Sequence, residues 1–204
     1  MAHTIESALR CDRFDRVVVS TDDEQMAATA RACGAEVPFL RPAELARDSS
    51  PKWPVFQHLV RTLEAQQGIR IDVLADLDTG TPLRSHEDIS RALDLLFSSD
   101  ADVVTTAYAA ERNPYFNMVE YEGDSVRVVK SAGRTITCRQ DAPPVYSLTP
   151  AIFAMRRDFI LRATHWSEGK LKISMMPRER SIDIDERLDF EFVEFLLGRK
   201  RGAS

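Results

Sequence analysis

Ile71-Asp72-Val73-Leu74-Ala75-Asp76-Leu77, running into Asp78-Thr79-Gly80-Thr81-Pro82-Leu83-Arg84, is the stretch on which the fold turns. A short apolar run bounded by a polar segment with Gly and Pro reads as a buried strand ending in a turn. Residues 86–97 then repeat apolar side chains at helical spacing, and 102–107 form a second, Val- and Thr-rich strand. Strand, turn, helix and strand in that order predict an α/β fold, a parallel sheet with helices on both faces. Upstream, the pattern predicts a helix over 4–11, a strand over 16–20, a helix over 22–33, a strand over 36–39 and a helix over 55–67. Downstream, residues 111–144 change to short polar strands around Gly123 and Gly133, an antiparallel excursion or arm. Regular elements resume at Val145 with a strand through Met155, a helix over 158–164, strands over 171–175 and 180–184, and a last helix to Leu197. No repeat or low-complexity linker divides the 204 residues, so one domain is expected.

A net charge of −5 opposes a broad footprint for nucleic acid or an anionic membrane, and any anionic ligand needs a local basic pocket. Cys11, Cys33 and Cys138 are odd in number and widely spaced, which excludes a disulfide framework or zinc motif and predicts reduced thiols. No apolar stretch approaches the length of a membrane span, and His3, Glu6 and Arg10 interrupt any signal-peptide core, so a cytoplasmic location is expected. His58, His86 and His165 accompany no Gly-x-Ser-x-Gly elbow, so no hydrolase triad is supported. Met175, Met176 and the Phe190, Phe192, Phe195 cluster read as core or interface.

Ligands of open α/β sheets gather beyond the carboxyl ends of strands. Three such ends are polar: Ser20-Thr21-Asp22-Asp23, the Asp78 to Arg84 turn, and Ser181-Ile182-Asp183-Ile184-Asp185. Residues two apart on extended chain point to one side, so Asp183 and Asp185 suit one hard cation such as Mg²⁺ holding phosphates, with Asp189 a helical turn further on. A structural account stands ahead of this on these residues alone: Asp185 as a helix N-cap, Asp183 a solvated strand end, Asp189 a first-turn acid favoured by the helix dipole. Leu188, at the sixth position from Asp183, excludes an EF-hand loop, which needs Gly there. Likewise Ser20, Thr21 and Asp22 serve as N-caps, and residues 78–82 as a plain turn.

Together, these segments resemble the acylneuraminate cytidylyltransferases, or CMP-sialic acid synthetases. His3-Thr4-Ile5-Glu6-Ser7-Ala8 with Val18-Val19-Ser20-Thr21-Asp22 looks like the family's first helix and second strand. Leu40 to Asp48 is similar to "RPxELAxD", Thr81-Pro82-Leu83-Arg84 to "(S/T)PLR", and Arg139-Gln140 with Pro144 and Tyr146 to "RRQ…P..Y". Residues 181–189 resemble the "SIDIDxxxD" ending. The resemblance implies a Rossmann-like nucleotidyltransferase fold, a three-layer sandwich forming one domain over 1–204, with a small antiparallel dimerisation arm at 111–144 and a homodimer. It implies transfer of CMP from CTP to a sialic-acid-like nonulosonic acid, a nine-carbon 2-keto sugar acid, with release of pyrophosphate and with Mg²⁺ as cofactor. By the same resemblance Asp183 and Asp185 are the catalytic metal ligands. Arg41, Asp48, Ser50 and Lys52 lie beside the nucleotide, and Asp78, Thr81, Arg139 and Tyr146 toward the sugar. Arg139 suits the substrate carboxylate because its planar fork binds one bidentately.

The chain departs from the family pattern in places. The strand and phosphate-cradling loop "PARxGSKxxxxKN" have no counterpart in residues 1–204. The expectation is therefore an exposed strand edge in mid-sheet or a rearranged dimer, and no catalysis by this form. The alternative is a catalytically dead sugar-binding or assembly subunit of the same fold; a third possibility, a 3-deoxy-octulosonate-activating branch, fits the motifs less well. Asp78 stands where many relatives have Gln, which suits a sugar presenting hydroxyl or amine groups there. Lys52 replaces a small hydroxyl residue, and Thr149-Pro150 the usual Asn-Gly.

Overall fold

The computed structural model describes residues 1–47 and 49–202. Helices α1 (Ala2–Arg10), α2 (Glu24–Ala32) and α3 (Lys52–Gln67) precede strand β1 (Val73–Asp76), helix α4 (His86–Phe97) and strand β2 (Val103–Ala109). A hairpin of β3 (Val119–Glu122) and β4 (Ser125–Val128) follows, then β5 (Tyr146–Arg156), α5 (Arg157–Arg162), β6 (Leu171–Met175) and α6 (Arg187–Gly202). The helix ends follow capping chemistry. Asp23 accepts from the amides of Gln25 and Met26, and Ser85 with Asp88 forms a capping box on α4. Gly68, at φ 64°, takes the left-handed conformation that closes α3.

The main sheet runs β1-β5-β2-β6 and is mixed, which corrects the expected parallel sheet. Only β2 and β6 are parallel; β5 is antiparallel to both β1 and β2. The physical reason lies in the arm: β5 returns from an antiparallel excursion, without the crossover helix a parallel neighbour requires. The β2–β5 ladder shifts from Thr105↔Phe153 to Thr106↔Thr149, placing Pro150 at the irregularity, where its missing donor is tolerated. The strands expected over 16–20 and 36–39 are reduced to one parallel bridge, Val18↔Glu36. That over 180–184 is not a strand either: a 3₁₀ turn at Arg178–Arg180 leads into irregular chain through Asp185.

Alternation along the central strands builds the layers. Val103 and Met155 face Trp53 and Val60 of α3 and Phe159 and Ile160 of α5, all at most 5% exposed. Val104, Ile152 and Ala154 face Ile89, Leu93 and Leu96 of α4 on the other side. Fully burying such side chains contributes roughly 1.5–3 kcal/mol each. Trp53 meets Phe159 edge-on with centroids 5.3 Å apart, while its Nε1 donates to the Ile160 carbonyl at 3.2 Å. A third cluster joins α1 and α2 around Ile5, Ala27, Ala30 and Val37, with Val17 and Val19 against it.

Between that third cluster and β1 lies a seam. Arg157 N donates to Asp72 O at 3.0 Å, so in the antiparallel register the backbone groups of Leu74 and Asp76 face β5, and those of Val73 and Ala75 face the other way. Among the described residues no strand pairs with that second edge. Opposite it, Val17 O and Val19 N are taken by Glu36, which turns the groups of Val18 toward the seam. Two cavities, of about 430 and 370 Å³, run along this line, sharing Phe14, Arg16, Val18, Leu59, Leu74 and Ala75. The edge of β1 is unpaired among the described residues, but it is half-buried and not the exposed edge expected from the sequence. The excursion over 111–144 holds the β3–β4 hairpin, turned at Gly123 (φ 63°), every residue of both strands exposed. Phe190, Phe192 and Phe195 on α6 are about half exposed, so they are not core; Met176 is buried and Met175 exposed.

Candidate functional site

Charge concentrates where β1 ends. Lys52, in the first turn of α3, reaches Asp76 at 3.4 Å and also contacts Asp78. Burial alone would lower the Lys52 pKa, but the two carboxylates raise it above its ordinary value. Burial raises Asp76 in spite of Lys52, whereas Asp78, also opposed by burial, is held below its usual range by Lys52 and the Gly80 amide. One cation thus holds a charged and a destabilised carboxyl together.

The turn after Asp78 is locked from inside. Gly80 N donates to Asp78 Oδ1 at 2.9 Å, and Thr81 Oγ1 to Asp78 O at 3.3 Å. Arg84, 4% exposed, donates to Thr81 Oγ1 (2.9 Å), Ala151 O (2.7 Å), Thr4 Oγ1 (2.7 Å) and Asp78 O. Burial pulls the Arg84 pKa down to about 10 against the pull of Asp78, Asp76 and Asp183, which leaves it cationic at neutral pH. The Arg of "PLR" is therefore a buried tie between α1, the turn and β5.

The aspartate run meets this turn through Ile184 N, which donates to Gly80 O at 2.9 Å. Thr149 Oγ1 donates to Ser181 O at 3.2 Å and fixes the start of the run. Asp183 is raised above the ordinary carboxylate range by burial, then by Asp78, then by Asp185. Asp185 is exposed. Asp189, not Asp185, supplies the cap: its Oδ2 accepts from the amides of Asp185 (3.1 Å) and Glu186 (2.9 Å) ahead of α6. With Asp189 so used, Asp183 and Asp185 are left for a ligand. Among the described residues no three acidic, His or Cys side chains form a metal cage. The donor set fits a Mg²⁺ held by one or two carboxylates and completed by substrate phosphates, and such a cation relieves the repulsion among Asp78, Asp183 and Asp185.

The larger cavity is lined by Asp76 and Asp78 and walled by Arg16, Arg41, Arg47 and Lys52 with Ser20 and Ser50. Arg16 is paired with Glu36 and Lys52 with Asp76 and Asp78, so the positive charge that an anionic ligand requires comes chiefly from Arg41 and Arg47. Arg41 stands 3.7 Å from Asp22, and its Nε, like Ser20 Oγ, is buried without a hydrogen-bond partner among the described residues. Ser50 Oγ bridges Glu44 O and Arg47 N, which shapes the loop before α3. Asp48 lies outside the described residues.

Of the sequence-derived site residues, the structure brings Arg41, Ser50, Lys52 and Asp78 to one cavity, with Asp183 next to Asp78. Asp185, Thr81, Arg139 and Tyr146 are not among the residues that line it. Thr81 is fully buried with its hydroxyl engaged internally. Arg139 lies in an exposed 3₁₀ turn of the arm, and Tyr146, 49% exposed, begins β5 opposite Ala109; neither lines the cavity. Sequence reasoning missed Asp76, Arg16 and Arg47. Asp76 carried one signal, an acid breaking the apolar run of a buried strand.

Comparison with known proteins accords with this geometry. The family model described as Cytidylyltransferase matches residues 1–194. The chain is 36% identical over 200 residues to "Post-translational flagellin modification protein B" of Campylobacter coli, covering 98% of this chain and 84% of that one. The same identity and coverage relate it to "CMP-N,N'-diacetyllegionaminic acid synthase" of Campylobacter jejuni. Among solved structures, a CMP:2-keto-3-deoxy-manno-octonic acid synthetase complexed with CTP superposes with a TM-score of 0.64 at 16% identity, over 97% of this chain and 87% of that one. A 4-diphosphocytidyl-2C-methyl-D-erythritol synthase gives 0.69 at 12% identity, over 96% and 88%. These two likenesses establish the Rossmann-like nucleotidyltransferase fold.

Proposed function

Because this chain belongs to the cytidylyltransferase family, we propose that it transfers CMP from CTP to a nine-carbon 2-keto sugar acid of the sialic acid type, releasing pyrophosphate. The observation that carries this is the placing of Asp183 against the Asp78 turn, at the edge of a cavity walled by Arg16, Arg41, Arg47 and Lys52.

Arg41, Arg47 and Lys52 attract the nucleotide's phosphates, and the buried Nε of Arg41 has a hydrogen bond to offer. Asp183 and Asp185 hold Mg²⁺, which when bound neutralises charge on the phosphates as it develops. The anomeric hydroxyl of the sugar acid attacks the α-phosphorus, the bond to the leaving pyrophosphate breaks, and the nearby cations stabilise the departing oxygens. Asp78, an acceptor kept ionised by Lys52, takes hydrogen bonds from sugar hydroxyl or amine groups. Arg139 binds the substrate carboxylate from the arm in a homodimer, and Tyr146 flanks the sugar. The protein acts in the cytoplasm; none of the described helices is long and apolar enough to cross a membrane.

The seam favours a second reading. A nucleotide pocket backed by unpaired strand edges lacks a rigid floor, so residues 1–204 alone act as a sugar-binding or assembly subunit without turnover. Incubation with CTP, Mg²⁺ and either N-acetylneuraminic or N,N'-diacetyllegionaminic acid, followed by ³¹P NMR, decides between them. Equimolar CMP-sugar and pyrophosphate are expected; sugar binding with neither CTP binding nor pyrophosphate contradicts the transferase and selects the second reading.

A further inference from the structure

Two carboxylates converge on Gly80. Its amide donates to Asp78 Oδ1 at 2.9 Å, and its carbonyl accepts from Ile184 N at 2.9 Å. A Cβ added there would run into Asp183 Oδ1, with Asp183 Cγ at 3.5 Å and Asp78 Oδ1 at 3.4 Å. The Asp183 carboxylate thus occupies the volume that the side chain of any other residue at 80 would fill.

The two sides of this contact differ in what they can yield. The turn is gripped from behind by buried Arg84, through Asp78 O and Thr81 Oγ1, and Thr81 is itself fully buried. The Asp183 carboxylate is the free end of a side chain, held among the described residues by no side chain and only by the neighbouring Ile184 amide. A methyl group at 80 therefore displaces the carboxylate and leaves the turn.

We propose that Gly80 is a positioning residue for nucleotidyl transfer: its lack of a side chain keeps the Asp183 carboxylate against the Asp78 turn, where it faces a cation shared with the nucleotide phosphates. This rests on the assignment of Asp183 as a metal-facing carboxylate. The sequence hides the role, since a glycine between Thr79 and Thr81 reads as ordinary turn chemistry.

The test compares wild type, Gly80→Ala and Asp183→Asn for Mn²⁺ binding by electron paramagnetic resonance with CTP present. Metal-free NMR follows the Asp183 carboxyl ¹³C resonance and exchange of the Ile184 amide. Gly80→Ala is expected to weaken Mn²⁺ binding at least tenfold, to leave metal-free CTP affinity unchanged, to shift the Asp183 carboxyl resonance and to keep Ile184 protected. Full Mn²⁺ affinity in Gly80→Ala, with loss in Asp183→Asn, overturns the positioning role alone. Full affinity in both overturns the metal assignment with it. Loss of Ile184 protection in Gly80→Ala shows that the turn has moved, which also overturns the proposal.

Discussion

The two halves of the sheet contrast. Around β5 and β2 every strand has partners on both sides, and Val103, Val104, Ile152 and Met155 are completely buried between α3 with α5 and α4. Around β1 and residues 17–19 the same kind of apolar chain faces a seam, with unpaired backbone and half-buried valines. The charged groups that suit a nucleotide lie on the seam side. Packing is thus concentrated in one region and the proposed ligand-facing groups in the other, less tightly packed one.

The largest effect should come from the packed half. Phe159→Ala, which empties the space between Trp53 and the sheet, should lower unfolding free energy by about 3–5 kcal/mol in urea titrations. A loss below about 1 kcal/mol would show that the core carries less than its burial implies. Next, amide exchange should separate the halves: Val73 and Ala75 should exchange at least about 100-fold faster than Val104 and Ile152. Equal protection would mean that the seam is closed in solution.

A third effect is one of pH. Glu64 accepts from Arg157 Nε and Nη2, each at 2.8 Å, and from Ile71 N at 3.0 Å, and these bonds hold its pKa at about 2. The folded pKa lies below the unfolded value of 4.5, so its stabilisation is complete above about pH 4.5 and is lost as pH falls toward 2. Glu64→Gln should flatten that part of the stability profile, and an unchanged slope would discount the pair. Smallest of all, Val18→Ala in the seam should cost about 1 kcal/mol or less, since half-exposed chain surrenders little burial. A cost like that of Phe159→Ala would erase the contrast.

Much of this was legible in the chain. The apolar helical spacing over residues 86–97 defines α4, and the Ile71 to Leu77 run contains β1. Strand direction was not legible, because alternation gives a strand its faces but not the sense in which its neighbour runs. Nor was the weakness of residues 16–20: Val17, Val18 and Val19 have strand-forming side chains, but a strand also needs partners on its edges. At the site, Lys52, Arg41, Ser50, Asp78 and Asp183 were found through motif resemblance. Asp76 showed only as an acid breaking an apolar run, and the buried role of Arg84 depends on three-dimensional neighbours that no local pattern reveals.

The cation-walled cavity on the seam is proposed to take CTP. Calorimetric titration of residues 1–204 with CTP and Mg²⁺ tests it most directly, beside Lys52→Ala. One saturable site per chain is expected, weakened about tenfold, or about 1.4 kcal/mol, in the variant. Heats indistinguishable from dilution with wild type, or full affinity in Lys52→Ala, would contradict it.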